Sequence, residues 1–236
     1  MPSVIQVRNL TKKFGNTVAL SGISFDVNES EIFGLLGPNG AGKTTVIDIL
    51  AGLLIKDSGE AKILGKDPEE VKDKMNFVSS SAWLTGIMSV HENLKVYAKL
   101  YGVTDINKRI DYLLDLFEIS NLKNKQYQTL STGQQMRVNL CKGLINNPKV
   151  LLLDEGTVGL DPNIADKIRK VIKEQKKNTT ILFTSHNMFE VEQLCDRIAF
   201  LQKGKIIWQG TATKLKEIHN KKTLEEVFIK LVRDEL

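Results

Sequence analysis

The sequence predicts an α/β fold in which a mostly parallel sheet, covered by helices on both faces, follows an antiparallel β subdomain and is interrupted by an inserted helical subdomain. Three patterns lead there. Short apolar runs at residues 32–36, 150–153 and 180–184 alternate with helical stretches, and strands that alternate with helices pair in parallel because each crossover covers a face of the sheet. Residues 4–27 instead carry β-branched and apolar side chains at near-alternating spacing, broken at Phe14-Gly15-Asn16, which reads as short antiparallel strands. From about residue 84 to residue 148 the apolar spacing turns helical. Residues 1–236 are expected to form one domain, with 84–148 inserted into its α/β body.

The elements follow in order. The run 32–36 leads straight into a glycine-rich stretch, after which Val46, Ile49, Leu50 and Leu53 recur at helical spacing. In the helical region, Val90, Leu94, Tyr97, Ala98 and Tyr101 form one stripe, and Ile110, Leu113, Leu114 and Phe117 another. Ser89, with Glu92 three residues on, has the capping-box spacing that opens a helix. Beyond it come a strand at 150–153, a helix at 164–175, a strand at 180–184, a helix at 187–194 and a hairpin over 197–208 turning at Lys203-Gly204. Leu224, Val227, Phe228 and Leu231 mark a short amphipathic helix at about 223–232, capped by Thr223 and Glu226.

A chain of 236 residues, 42% hydrophobic and 26% charged, can bury a substantial core. Its net charge of +5 is spread along the whole length instead of forming a basic block, so charge does not point to nucleic acid. Cys141 and Cys195 lack metal-like spacing and read as two buried, reduced thiols, which fits a cytoplasmic setting. Gly37, Asp48, Lys56 and Asp154 interrupt the best apolar stretches before any reaches the roughly 18 to 20 residues that a membrane span needs. The start, Met1-Pro2-Ser3-Val4, has neither the basic nor the apolar part of a signal peptide.

Two motifs carry phosphate chemistry. The stretch Gly37-Pro38-Asn39-Gly40-Ala41-Gly42-Lys43-Thr44, followed by Thr45, matches G-x-x-x-x-G-K-[ST] between an expected strand and an expected helix. Backbone N–H groups of such a loop wrap a phosphate, the helix N-terminus adds partial positive charge, Lys43 reaches the β- and γ-phosphates, and the Thr44 hydroxyl ligates Mg²⁺. The apolar strand at 150–153 ends in Asp154-Glu155. Asp154 is placed to hold Mg²⁺ through its water shell, and Glu155 to orient and deprotonate an attacking water. His91 and His219 have no companions at ligand spacing and read as surface residues.

A third stretch, Leu130-Ser131-Thr132-Gly133-Gln134-Gln135, about twenty residues before the acidic strand, makes the chain resemble the ATP-binding cassette (ABC) ATPases. The resemblance covers nearly the whole chain. It implies an aromatic, Phe14, stacked on adenine with Val18 beside it, a D-loop at Gly159-Leu160-Asp161, and His186 as the histidine that meets the γ-phosphate. It also implies ATP and Mg²⁺ as cofactors and an ATP-dependent pairing of two copies. In that pairing Ser131, Gly133 and Gln134 of one copy cap the γ-phosphate held by the glycine-rich loop of the other. Physically, Ser131 and Gln134 have capping-box spacing at a helix start, where free N–H groups favour an anion.

Four residues depart from the family pattern. Thr132 stands for the first signature glycine, Gly156 for the proline after the glutamate, and Val158 for the serine before Gly159. Ser80 falls where the family carries a glutamine that approaches Mg²⁺, and a serine reaches less far. The resemblance implies the nucleotide-binding subunit of an ABC transporter of the bacterial and archaeal exporter type. Such a subunit sits on the cytoplasmic face of the membrane, beside a separate transmembrane permease. A soluble ABC ATPase for cofactor assembly or macromolecular remodelling is the alternative.

Overall fold

A computed structural model describes residues 2–79, 84–156 and 160–233, the last three without their side chains. The antiparallel layer is a three-stranded sheet, order β2-β1-β4, built from β1 (Ser3–Phe14), β2 (Thr17–Asn28) and β4 (Ser58–Ile63). The expected turn is there: Phe14 pairs with Thr17, and Gly15 supplies a φ of 56°. The two strands are 12 residues each, longer than the short strands expected, because bulges let the hairpin keep pairing through its irregular alternation.

The main sheet has six strands in the order β5-β6-β7-β3-β8-β9: β5 (Met75–Ser79), β6 (Val150–Asp154), β7 (Thr180–Ser185), β3 (Ile32–Leu36), β8 (Arg197–Gln202) and β9 (Lys205–Gly210). The first five run parallel and β9 turns back antiparallel, the mostly parallel sheet that the alternation predicts. Every residue of β3, β6 and β7 is buried, as central parallel strands covered on both faces require.

Helix α1 (Lys43–Leu50) lies between the layers, its Val46, Ile47, Ile49 and Leu50 joining one core cluster with side chains of both sheets. Leu53 corrects the expected stripe. The helix ends at Leu50, Gly52 takes a φ of 69°, and Leu53 is 67% exposed. Between β5 and β6 run α2 (Val90–Leu100), α3 (Ile106–Leu116) and α4 (Thr132–Leu144), which pack a second core against the other face of the sheet. Ser89 and Glu92 form the capping box foreseen for α2. Helices α5 (Pro162–Gln175), α6 (Met188–Leu194), α7 (Ala212–His219) and α8 (Leu224–Arg233) complete the chain. Strands β4 and β5 and helix α7 have no counterpart in the sequence reading. Cys141 is buried, but Cys195 is only partly covered; both are free, and burial pushes both thiols up. Among the described residues no helix is long and apolar enough to cross a membrane.

Candidate nucleotide site

The glycine-rich loop leaves the end of β3 and closes into α1. Gly37 can only be glycine, since a Cβ there would lie 2.1 Å from the Leu201 carbonyl oxygen. Gly42, at the helix N-cap with φ 110°, would bring a Cβ within 2.6 Å of the Ala19 oxygen. That close approach seats the helix start on β2, one residue from Val18. The first turn of α1 has no side-chain cap and no acidic residue, so its N–H groups and helix dipole are uncompensated, as an anion site requires.

Lys43 is 6% exposed and donates from Nζ to the carbonyls of Gly37 (2.8 Å) and Pro38 (3.0 Å). Burial lowers its pKa, opposed by the negative charges of Glu155 and Asp154. Its ammonium is therefore held over the loop by weak acceptors, in an electrostatic setting that a phosphate would improve.

Asp154 sits where parallel strands end together, paired in register with Ser79 on one side and Thr184 on the other. Thr44 Oγ1 donates to its Oδ2 at 3.3 Å, and the Thr184 hydroxyl donates to Oδ1. Asp48, one turn along α1 from Thr44, has its pKa raised by burial and then by the Asp154 charge. The Thr44 hydroxyl and the Asp154 carboxylate thus meet behind the glycine-rich loop, hard oxygen donors of the kind that suits Mg²⁺. Next in the chain, Glu155 adopts a φ of 54° while its N–H donates to the Thr184 oxygen. Its Oε1 lies 2.8 Å from His186 Nδ1.

Phe14 is 51% exposed and Val18 45% exposed, both open to a planar ligand, with Lys12 Nζ 5.4 Å from the Phe14 ring centroid. At the other candidate surface, Ser131 caps α4 with a full capping box: Gln134 N donates to Ser131 Oγ (3.4 Å) and Ser131 N donates to Gln134 Oε1 (3.1 Å). Ser131, Gly133, Gln134 and Arg137 line a cavity of about 410 Å³ together with Asp161, whose Oδ1 caps α5. No residue of 37–45 lines that cavity, so within one chain the glycine-rich loop and the start of α4 do not share one site.

Residues 20–158 match the ABC transporter family. The chain belongs to that family. The linearmycin resistance ATP-binding protein LnrL of Bacillus subtilis (strain 168) is 36% identical over 90% of this chain and 70% of its own length. Other curated ABC relatives are longer, the chain spanning 42% of one and 25% of another. Among solved structures, an ATP-binding subunit of an ABC transporter superposes with a TM-score of 0.90 at 25% identity, covering 98% of this chain and 100% of that one. The dimeric structure of the bacterial ABC transporter cassette MJ0796 has a TM-score of 0.82 at 25% identity, over 88% and 98%.

Within this ABC cassette Thr184 and Asp48 carry no signal in the sequence as site residues, and Gly204 reads there only as a hairpin turn. Thr184 donates to Asp154, and Asp48 feels the Asp154 charge. Gly204 accepts from Ser21 N (2.8 Å) and donates to the Ala41 oxygen (3.1 Å), tying the phosphate loop to β2. Strand register would have found Thr184, since it lies one residue from the end of β7 and pairs with Asp154. Ser80, Val158 and Gly159 lie outside the described residues.

Proposed function

We propose that this chain is the ATP-hydrolysing subunit of an ABC transporter of the exporter type. It would work as an ATP-dependent head-to-tail dimer on the cytoplasmic face of a membrane permease. The observation that carries the chemistry is the meeting, at the ends of β3, β6 and β7, of a lysine-bearing phosphate loop, the carboxylate of Asp154 and the Glu155–His186 pair. The dimer reading is supported by the separation of the signature cavity from the loop and by the dimeric cassette that shares this fold. Export is supported by a relative named as a Nod factor export ATP-binding protein, from Burkholderia lata, 34% identical over 90% of this chain and 72% of its own length.

Phe14 and Val18 would receive the adenine, stacking needing only the Phe14 ring. Residues Gly37 to Thr45 would wrap the phosphates with backbone N–H groups, and Lys43 would exchange its two loop carbonyls for β- and γ-phosphate oxygens. Mg²⁺, when bound, neutralises charge on those oxygens; Thr44 and Asp154 are the residues that would hold it, with Ser80 a further candidate by its place in the sequence. Glu155, aimed by His186, would take a proton from water as the water oxygen bonds to the γ-phosphorus and the bond to the β-phosphate oxygen breaks. His186 keeps its other ring nitrogen for a γ-phosphate oxygen. Ser131, Gly133 and Gln134 of the second copy would close the site, with Asp161 at their side.

The test is ATP hydrolysis by the purified chain with and without Mg²⁺, followed by copurification with membrane proteins. Magnesium-dependent release of phosphate together with a copurifying permease is the expected result. Activity without any membrane partner in detergent extracts would favour the soluble alternative, and no ATP binding would remove the whole reading.

A further inference from the structure

Strand β5 is the edge of the six-stranded sheet: β6 pairs with one side, and among the described residues no strand pairs with the other. An open edge leaves alternate backbone groups without partners. Here they are taken up by α4 and the turn behind it. Lys142 Nζ donates to the Phe77 oxygen, and Asn146 Nδ2 donates to the oxygens of Asp73 (3.1 Å) and Met75 (3.4 Å). Met75 and Phe77 alternate along β5, so their carbonyls point the same way, and Asn146 lies two residues beyond the end of α4, close behind Lys142. Asn76 answers from the strand, its Nδ2 donating to the Lys142 oxygen (3.1 Å) and to Asn146 Oδ1 (3.0 Å), while its Oδ1 accepts from Phe77 N (2.9 Å). Gly143 lets the two backbones approach, since a Cβ on it would lie 2.3 Å from Val78 Cγ2.

Lys142 is the costly member of this staple. Its ammonium lies 5.9 Å from the Phe77 ring centroid and 5.5 Å from that of Tyr97. Burial pushes its pKa down to about 8, with no carboxylate among the described residues contributing. Among the described residues, Tyr97 of α2 is the titratable side chain whose ring faces it, and β5 meets it with the ring and carbonyl of Phe77. A methionine would fill the space without the desolvation penalty, so packing alone does not call for a lysine.

The two ends of α4 meet different chemistry. Its N-cap, Ser131, belongs to the signature, and Lys142 lies eleven residues on, about 16 Å along a rigid helix. Two residues beyond Phe77 is Ser79, paired with Asp154. We propose that Lys142 is a positioning residue that makes α4 the mechanical link between the signature of a cassette and the Asp154 end of its own nucleotide site. A γ-phosphate docking at Ser131 in the dimer then pulls on β5 and resets Asp154, so that occupancy of one composite site tunes hydrolysis in the other. This rests on the paired-ATPase reading above.

The test compares Lys142→Met and Lys142→Arg with the parent. Lys142→Met is expected to leave ATP affinity within about twofold and to lower kcat at least about tenfold. It should also bring the Hill coefficient for ATP towards about 1. Lys142→Arg, which keeps the charge and the donors, should restore both. In the parent, kcat should decline above the lysine's pKa of about 8, and Lys142→Arg should remove that decline. Unchanged kcat and cooperativity in Lys142→Met, equal losses in both variants, or an alkaline decline that persists in Lys142→Arg would each overturn the link. If the parent neither hydrolyses ATP nor dimerises with it, the paired-ATPase reading fails, and amide exchange decides the staple alone. Faster exchange across Met75–Ser79 in nucleotide-free Lys142→Met supports it, and unchanged exchange refutes it.

Discussion

His186 Nδ1 lies 2.8 Å from Glu155 Oε1, although the residues are 31 apart in sequence and sit at the ends of two neighbouring parallel strands. The contact depends on backbone as much as side chain: Glu155 turns into the left-handed region at φ 54°, a conformation that costs a non-glycine residue energy. The turn lifts the carboxylate out of the sheet towards the histidine. With 27% of its side chain exposed, Glu155 can meet a water and still be held by the ring.

Glu155→Gln keeps the size of the side chain and its reach to His186 while removing the base. The expected loss is about 10² to 10⁴ in turnover, or about 3 to 5 kcal/mol, with ATP binding intact. Because the γ-phosphate then persists between Lys43 of one copy and Ser131 and Gly133 of the other, ATP should accumulate a dimer and ADP should not. Analytical ultracentrifugation with each nucleotide reads this directly. A monomer under both conditions at saturating ATP would count against the sandwich, and unimpaired hydrolysis would move the base elsewhere.

What the sequence showed and what it hid follow from locality. The phosphate loop, the acidic strand end and the signature were legible because each packs its chemistry into a few consecutive residues. The ring of groups around Asp154 was not, because Thr184 and Asp48 arrive through strand register and helix phase. Strand β4 was hidden by its composition: Ser58 to Glu60 are exposed and only Ala61 and Ile63 are buried, so no apolar alternation marks it. Strand β5 was hidden differently, since buried Asn76 breaks its apolar run in order to bond α4.

Lys43→Ala removes a charge-assisted donor from the loop, and no other described cation lies within its hydrogen-bonding pattern. A hydrogen bond to a charged group contributes about 1.5 to 3 kcal/mol, so ATP affinity should fall about 10- to 150-fold. Isothermal titration measures it. Unchanged affinity together with normal hydrolysis would show that the phosphates bind elsewhere.

Phe14→Ala should weaken binding of ATP and ADP alike, because the ring meets the base and not the phosphates. Stacking on one base contributes about 1 to 3 kcal/mol, hence a loss of about 5- to 150-fold. Phe14→Tyr should retain parental affinity. Titration of free adenosine separates base from phosphate recognition: if Phe14→Ala binds nucleotide as the parent does, the exposed ring has another purpose.

Lys142 also predicts how stability varies with pH. Its folded pKa of about 8 lies below its ordinary value of 10.5, so between these the unfolded chain binds more protons than the native one. Stability from this group therefore rises with pH across that interval: the penalty is absent above 10.5 and fully present below about 8. The link proposed for this residue makes turnover move the opposite way, because the neutral amine donates more weakly to Phe77. Melting temperatures of the parent and Lys142→Met, taken at matched pH values, isolate the group from the other lysines. The difference should shift in the parent's favour as pH rises from about 8, while its kcat declines over the same range. A constant difference would mean that Lys142 is solvated in both states, and its burial against Phe77 and Tyr97 would then have to be abandoned.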